Sequence, residues 1–165
     1  MIKTGIFQDE FEIVTLKHIE YILTAKMRCE KLIIGISDPD SQNLFTYYEK
    51  MNMIRDSLLE FGIKRNEFEI VPFPVHDPEK LSGYVEKNAT VFMNIYNENE
   101  KEQCKIFEDI KLKTKVLWRS DNEEQKTIIK DIKKRILNNE EWEQLVPESV
   151  YKYALRYDIE SRLKK

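Results

Sequence analysis

Thr15 and His18 stand three residues apart in the stretch "TLKH", where a polar, acidic loop gives way to an amphipathic run. Residues at i and i+3 share one face of a helix. The first turn of a helix also presents unpaired backbone N–H groups and the positive end of its dipole. A hydroxyl and an imidazole at that end are hydrogen-bond donors placed where an anion is already favoured. The chemistry they suit is hydrogen-bond donation to an anion. A plain N-cap is the competing role for Thr15, and a packing or surface histidine the competing role for His18. A second concentration of charge, Lys126, Lys130, Lys133 and Lys134, recurs at spacings of three and four. A helix face of that kind either meets solvent or neutralises phosphate. His76 precedes Asp77-Pro78, in which Asp is an N-cap candidate and Pro suits the first helical position. His76 itself is a surface side chain or the wall of a ligand pocket.

The elements that must hold these residues follow from hydropathy pattern. Short apolar runs rich in Ile, Val and Phe, of the kind that forms strands buried on both faces, occur at "KTGIFQ", "KLIIGIS" (31–37), "FEIVPFP" (68–74), "TVFMNIY" (90–96) and "KVLW" (115–118). Helical periods lie between and after them, at 15–28, 45–61, 78–87, 99–107, 123–137 and 147–163. Strand–helix alternation predicts an α/β fold, a five-stranded and mainly parallel sheet with helices on both faces and right-handed crossovers. The whole chain, residues 1–165, reads as one domain whose C-terminal helices span about 123–163. Ligands of such sheets bind beyond the carboxyl ends of the strands. Gly5–Gln8, Ser37 and Pro74–Asp77 are three such ends.

Composition excludes several functions. Net charge is −3, and the basic stretch from Lys101 to Lys134 is offset by the acidic loop at Asp9, Glu10 and Glu12. That balance argues against broad nucleic-acid binding, which calls for excess positive charge. Cys29 and Cys104 are isolated and fit reduced thiols of a cytoplasmic protein. No metal-ligand set is expected, and the loop "SDPDSQN" (37–43) is better explained as a turn with an N-cap. There is no membrane-length apolar run and no signal-peptide pattern at the N-terminus.

Several segments resemble the HxGH-type nucleotidyltransferase superfamily, most closely the archaeal-type nicotinamide mononucleotide adenylyltransferases. That family's first strand ends in Gly-Arg-Phe-Gln and is followed by a His-x-Gly-His signature opening a helix. Here "GIFQ" occupies Gly5, Ile6, Phe7 and Gln8, and "TLKH" places Thr15 and His18 on the two histidines. The intervening loop is about four residues longer than usual. "NLFTYYEKMNMI" (43–54) is similar to the family's Pro-Phe-Thr-x-x-Glu-Arg segment, with Lys50 at the Arg position. "PFPVHD" (72–77) is similar to Pro-Ile-Pro-Ile-x-Asp, and "RILNNEEWEQLVPESV" (135–150) to the family's ending. Departures are Ile6 for a phosphate-binding Arg, Lys17 for the signature Gly, Thr15 for its first His, and an eroded Ser-x-Thr-x-Ile-Arg motif. Two registers fit that motif, one placing Lys133 at the Arg and the other matching "TIIK" through Thr127 and Lys130.

The resemblance implies a Rossmann-like nucleotidyltransferase fold and transfer of a nucleoside monophosphate from a magnesium-bound triphosphate to a small phosphate-type acceptor. ATP with nicotinamide mononucleotide is the default pair. A CTP-dependent cytidylyltransferase acting on another phosphate or phosphonate acceptor, and an inactive nucleotide-binding relative, are the alternatives. It implies catalytic roles for His18, Thr15 and Lys133. Nucleotide contacts fall to Gly5, Ile6, Phe7, Gln8, Asn94, Thr127 and Lys130, acceptor contacts to Lys50, His76 and Asp77, and Mg2+ is the implied cofactor. It further implies a homo-oligomer. Replacing His18 by Ala is expected to lower turnover about 100-fold or more with little effect on folding, because a first-turn side chain adds little burial. Replacing Thr15 is expected to remove about 1 kcal/mol of capping.

Overall fold

The apolar runs become strands because β-branched and aromatic side chains fit a pleated surface covered on both sides. In the computed structural model, which describes residues 1–94, 98–118 and 123–165, strands β1 (Ile2–Asp9), β2 (Cys29–Ser37), β3 (Phe68–Phe73), β4 (Thr90–Asn94) and β5 (Lys113–Trp118) form one sheet. Its order is β3-β2-β1-β4-β5, with every ladder parallel. The helices are α1 (Leu16–Lys26), α2 (Tyr47–Glu60), α3 (Pro78–Ser82), α4 (Glu98–Asp109), α5 (Glu123–Leu137), α6 (Glu148–Arg156) and α7 (Ile159–Leu163). Strand order reverses between β1 and β4, the switch point at which open α/β sheets bind ligands. The fold is α/β, as the alternation predicts, and Rossmann-like, as the resemblance implies.

The chain packs as two compact units. The first holds the sheet, the end of α1, α3 and α4. Its core joins Ile6, Ile33, Val71, Phe73, Val91 and Met93 from one face of the sheet to Leu81 of α3 and Phe107 of α4, with Cys104 packed alongside. Two glycines make this packing possible. A Cβ on Gly5 would lie 2.4 Å from the Phe92 ring, and one on Gly35 2.7 Å from Phe73. Parallel register brings Gln8 opposite Gly35, Asp9 opposite Ile36 and Ser37 opposite Phe73, so β1, β2 and β3 end along one edge.

The second unit comprises residues 11–21, 40–64 and 123–165: the start of α1, together with α2, α5, α6 and α7. Arg162 of α7 donates to both carboxylate oxygens of Glu49, at 2.7 and 2.9 Å, and to the Leu44 carbonyl at 2.9 Å. Glu49 also completes the capping box of α2 with Thr46.

Some element ends differ from the sequence reading. The period at 78–87 yields a helix of five residues, Pro78–Ser82, with Gly83 as its C-cap, where the cap N–H turns to the Leu81 and Lys80 carbonyls. The period at 147–163 yields two helices, because Asp158 adopts a left-handed φ of 53° and caps α7. Of the strand expected at 90–96, residues 95 and 96 lie outside the described residues.

Candidate active site

The loop before α1 builds the site's floor. Phe11 sits at φ 53°, an uncommon left-handed conformation for a bulky residue, and its side chain is fully buried with its ring 4.9 Å from that of His18. Thr15 is the N-cap. Its carbonyl accepts the first helical bond from Ile19 N–H at 3.3 Å, and its Oγ1 accepts from His18 N–H at 3.3 Å. In return, the Thr15 N–H donates to His18 Nδ1 at 3.0 Å. This is a capping box with an imidazole in the place usually taken by Glu or Gln.

That arrangement decides the histidine's tautomer. A ring nitrogen that accepts from a backbone N–H carries no proton, so in the neutral ring the proton is on Nε2. His18 is thus a donor held in one orientation by its own helix cap. The expectation of a lightly packed first-turn side chain is corrected here: His18 is 1% exposed. Removing it costs packing and a cap as well as a donor.

Helix α5 meets the same helix start. Gln125 Oε1 accepts from Thr15 Oγ1 at 3.3 Å. Glu124 lies 3.6 Å from the Lys17 ammonium, which also pairs with Glu20 at 3.4 Å. Burial pulls the Lys17 pKa down, but Glu20 and Glu124 outweigh it and hold the ammonium above its ordinary value. The charge that replaces the signature glycine is therefore engaged by the protein's own carboxylates. Lys133 forms a hydrogen-bonded ion pair with Glu12 of the loop. Of the two lysines left open by the motif registers, Lys133 is the one carried to the loop before α1, whereas Lys130 and Thr127 are exposed.

Gln125 was not legible as a site residue. It lies on the row Gln125–Ile129–Ile132–Ile136, spaced four, three and four, which is the inward face of α5. A polar side chain in an otherwise apolar row was the available signal. Glu12 gave none beyond its charge, since its partner is 121 residues away.

The carboxyl edge of the sheet carries a second set. Phe7 is buried and meets Trp118 edge-on at 5.9 Å, and Gln8 and Asn94 at the strand ends are partly exposed. Gly5 is closely covered by Phe92. Ile6 is 0% exposed within the core cluster, so only its backbone remains for a ligand. Asp77 caps α3 by accepting from Lys80 N–H at 3.2 Å, and His76 beside it is exposed. Lys50 lies on α2 in the other unit and is 3% exposed. Among the described residues no helix is long and apolar enough to cross a membrane.

Comparison with known proteins adds lineage to this geometry. No family model matches the chain. It is 28% identical to a phosphonoformate cytidylyltransferase of Streptomyces viridochromogenes over 98% of this chain and 95% of that protein. It is 27% identical to a nicotinamide-nucleotide adenylyltransferase of Saccharolobus solfataricus over 97% of this chain and 94% of the other. A bifunctional NMN adenylyltransferase/ADP-ribose pyrophosphatase of Francisella tularensis superposes with a TM-score of 0.72 at 14% identity, covering 98% of this chain. The chain spans 52% of that larger protein, so this likeness speaks to the fold. Over almost its whole length the chain is thus similar to a cytidylyltransferase and to an adenylyltransferase, and it has the fold of an NMN adenylyltransferase.

Proposed function

We propose that the protein transfers a nucleoside monophosphate from a nucleoside triphosphate to a small phosphate-type acceptor and releases pyrophosphate. The observation that carries this reading is the capping box: Thr15 N–H on Nδ1 at 3.0 Å leaves a buried imidazole with its proton on Nε2, at a helix start that favours anions. An acceptor oxygen attacks the α-phosphorus, the bond to the bridging oxygen breaks, and pyrophosphate leaves with that electron pair. The enzyme's share is positioning and neutralisation, since such transfers need little covalent chemistry from protein. His18 donates from one fixed orientation, Thr15 lies beside it, and Lys133 or Lys130 offsets phosphate charge. By family resemblance we assign Gln8 and Asn94, with the backbone of Gly5, Ile6 and Phe7, to the nucleotide, and Lys50, His76 and Asp77 to the acceptor.

A divalent ion suits this site as part of the metal–triphosphate complex. A solved relative from Francisella tularensis holds AMP and a manganese ion. Among the described residues no three His, Cys, Asp or Glu side chains gather to hold a metal, and magnesium carried on substrate phosphates requires no such cage. The ion supplies charge neutralisation on the departing phosphates.

ATP with nicotinamide mononucleotide is the default pair by family resemblance. A second pair, CTP with a phosphonate-type acceptor, is favoured by Ile6. Where the adenylyltransferases carry a phosphate-binding Arg, this chain buries an apolar side chain in its core, and a phosphonoformate cytidylyltransferase aligns along almost its whole length. Pyrophosphate release from each of the four triphosphates, over a panel of phosphorylated and phosphonylated acceptors, decides between them. One triphosphate–acceptor pair should turn over. A protein that binds a triphosphate yet turns none over is the inactive relative instead. We further propose that the chain self-associates, which light scattering at micromolar concentration tests; a monomer removes that part.

A further inference from the structure

We propose that Gln125 is a positioning residue that switches Thr15 between an occupied and an available donor by turning its amide when the triphosphate arrives. The inference rests on reading the start of α1 as a triphosphate site. It follows from an account of one hydroxyl. Thr15 Oγ1 has one proton and two lone pairs. One lone pair takes His18 N–H at 3.3 Å. Nδ1 lies 3.2 Å away but is already filled by the Thr15 N–H, so the proton goes to Gln125 Oε1 at 3.3 Å. A phosphate oxygen can only accept, and in this state it meets a hydroxyl with no proton to give.

The other end of the same amide supplies the second observation. Gln125 Nε2 is shut off from solvent and has no hydrogen-bond partner. Turning the amide by half a turn exchanges two ends of nearly equal size, so no backbone needs to move. Nε2 then donates to the second lone pair of Thr15 Oγ1, and the hydroxyl proton is released.

Counting unmet groups decides when each state is preferred. Without an anion, the observed state leaves one unmet donor, Nε2, whereas the turned state leaves both the hydroxyl proton and Oε1 unmet. With a phosphate at the helix start, the hydroxyl proton finds its acceptor and only Oε1 is unsatisfied. An under-satisfied buried carbonyl is better tolerated than an orphaned buried N–H. The anion therefore favours the turned state. The bond to be broken is also slack, since O–H···O distances centre near about 2.7–2.8 Å.

Two measurements test this. In the wild-type protein, the Gln125 side-chain amide resonance, assigned by its loss in Gln125→Met, should move downfield when inorganic pyrophosphate is added, and should not do so in Thr15→Val. The second is a cycle of kcat/KM for the triphosphate that the panel identifies. A Glu at 125 can only accept, so Gln125→Glu holds the Thr15 proton permanently and should lower kcat/KM at least 10-fold. In the Thr15→Val background, which has no proton to hold, the same change should cost less than 3-fold. An unmoved amide resonance while pyrophosphate binds, or an equal loss in both backgrounds, overturns the switch while leaving the site in place. Failure of the wild type to bind pyrophosphate or any triphosphate removes the site itself, and the switch with it.

Discussion

A histidine inside a helix cap holds two roles, one structural and one proposed, that an alanine substitution cannot separate. His18→Ala removes the proposed hydrogen-bond donor to phosphate, the acceptor for Thr15 N–H, and packing against Phe11. His18→Glu separates them, because Glu at the third helical position is an ordinary capping-box partner and, when ionised, has no proton to give. His18→Glu should retain a melting temperature within a few degrees of wild type and still lose roughly 100-fold in turnover, the scale of one missing preorganised donor. His18→Ala should lose both rate and about 1 kcal/mol or more of stability. Thermal melts and pyrophosphate-release assays on the two variants check this; a fully active His18→Glu would mean the imidazole is not the donor. At this scale the sequence carried part of the candidate site. Thr15 and His18 were legible because a spacing of three on a helix is local geometry. Their ties to Gln125, and the pairing of Lys133 with Glu12, were not, because charge and spacing do not encode which distant segments meet.

Helix caps in this protein also bind distant elements together. Glu49 caps α2 through Thr46 N–H at 2.9 Å and receives both forks of Arg162 from α7, whose guanidinium also lies 5.6 Å from the Phe45 ring centroid and 5.3 Å from that of Tyr157. The Arg162 hydrogen bond is the main reason the Glu49 carboxyl sits below the ordinary carboxylate value; burial opposes it, and the Thr46 bonds add to it. A group whose folded pKa is depressed contributes stability that is fully present above its unfolded pKa, about 4.3 for Glu, and lost as pH falls through the folded value. Arg162→Met should therefore cost about 1.5–3 kcal/mol near neutral pH, the scale of hydrogen bonds to a charged group, and progressively less below about pH 4. Urea unfolding of both proteins across that range measures the gap, and a gap that stays constant on acidification would refute the linkage. The helix carrying Arg162 also shows what periodicity leaves out. One helical run was legible from 147 to 163, but Asp158 turns left-handed between α6 and α7 without a Gly or Pro to announce it, and its side chain then caps α7.

At the scale of the whole chain, the sheet was the most legible feature, because strands buried on both faces write themselves as apolar runs. Their order was not written there, yet order is what puts the switch point between β1 and β4 and lines up Gln8, Ser37 and Phe73 along one edge. A protein built to grip a triphosphate should be stabilised by it as a whole, since a ligand that binds only the folded state adds RT ln(1 + [L]/Kd). At a hundredfold excess over Kd that is about 2.7 kcal/mol. For a chain of this length each kcal/mol moves the midpoint by roughly 2–4 °C, so the matching triphosphate should raise the melting temperature by roughly 5–11 °C. Inorganic tripolyphosphate should reproduce part of that rise, because the proposal assigns Thr15, His18 and the α5 lysines to the phosphate chain. What remains belongs to the base and ribose, and comparing the four triphosphates at equal concentration assigns it. The nucleotide with the largest excess over tripolyphosphate should also be the one turned over, because a triphosphate held at its base as well as its phosphates is the one positioned for attack. If all four triphosphates stabilise no more than tripolyphosphate does, the sheet edge does not read a base, and the roles proposed for Gln8 and Asn94 fall.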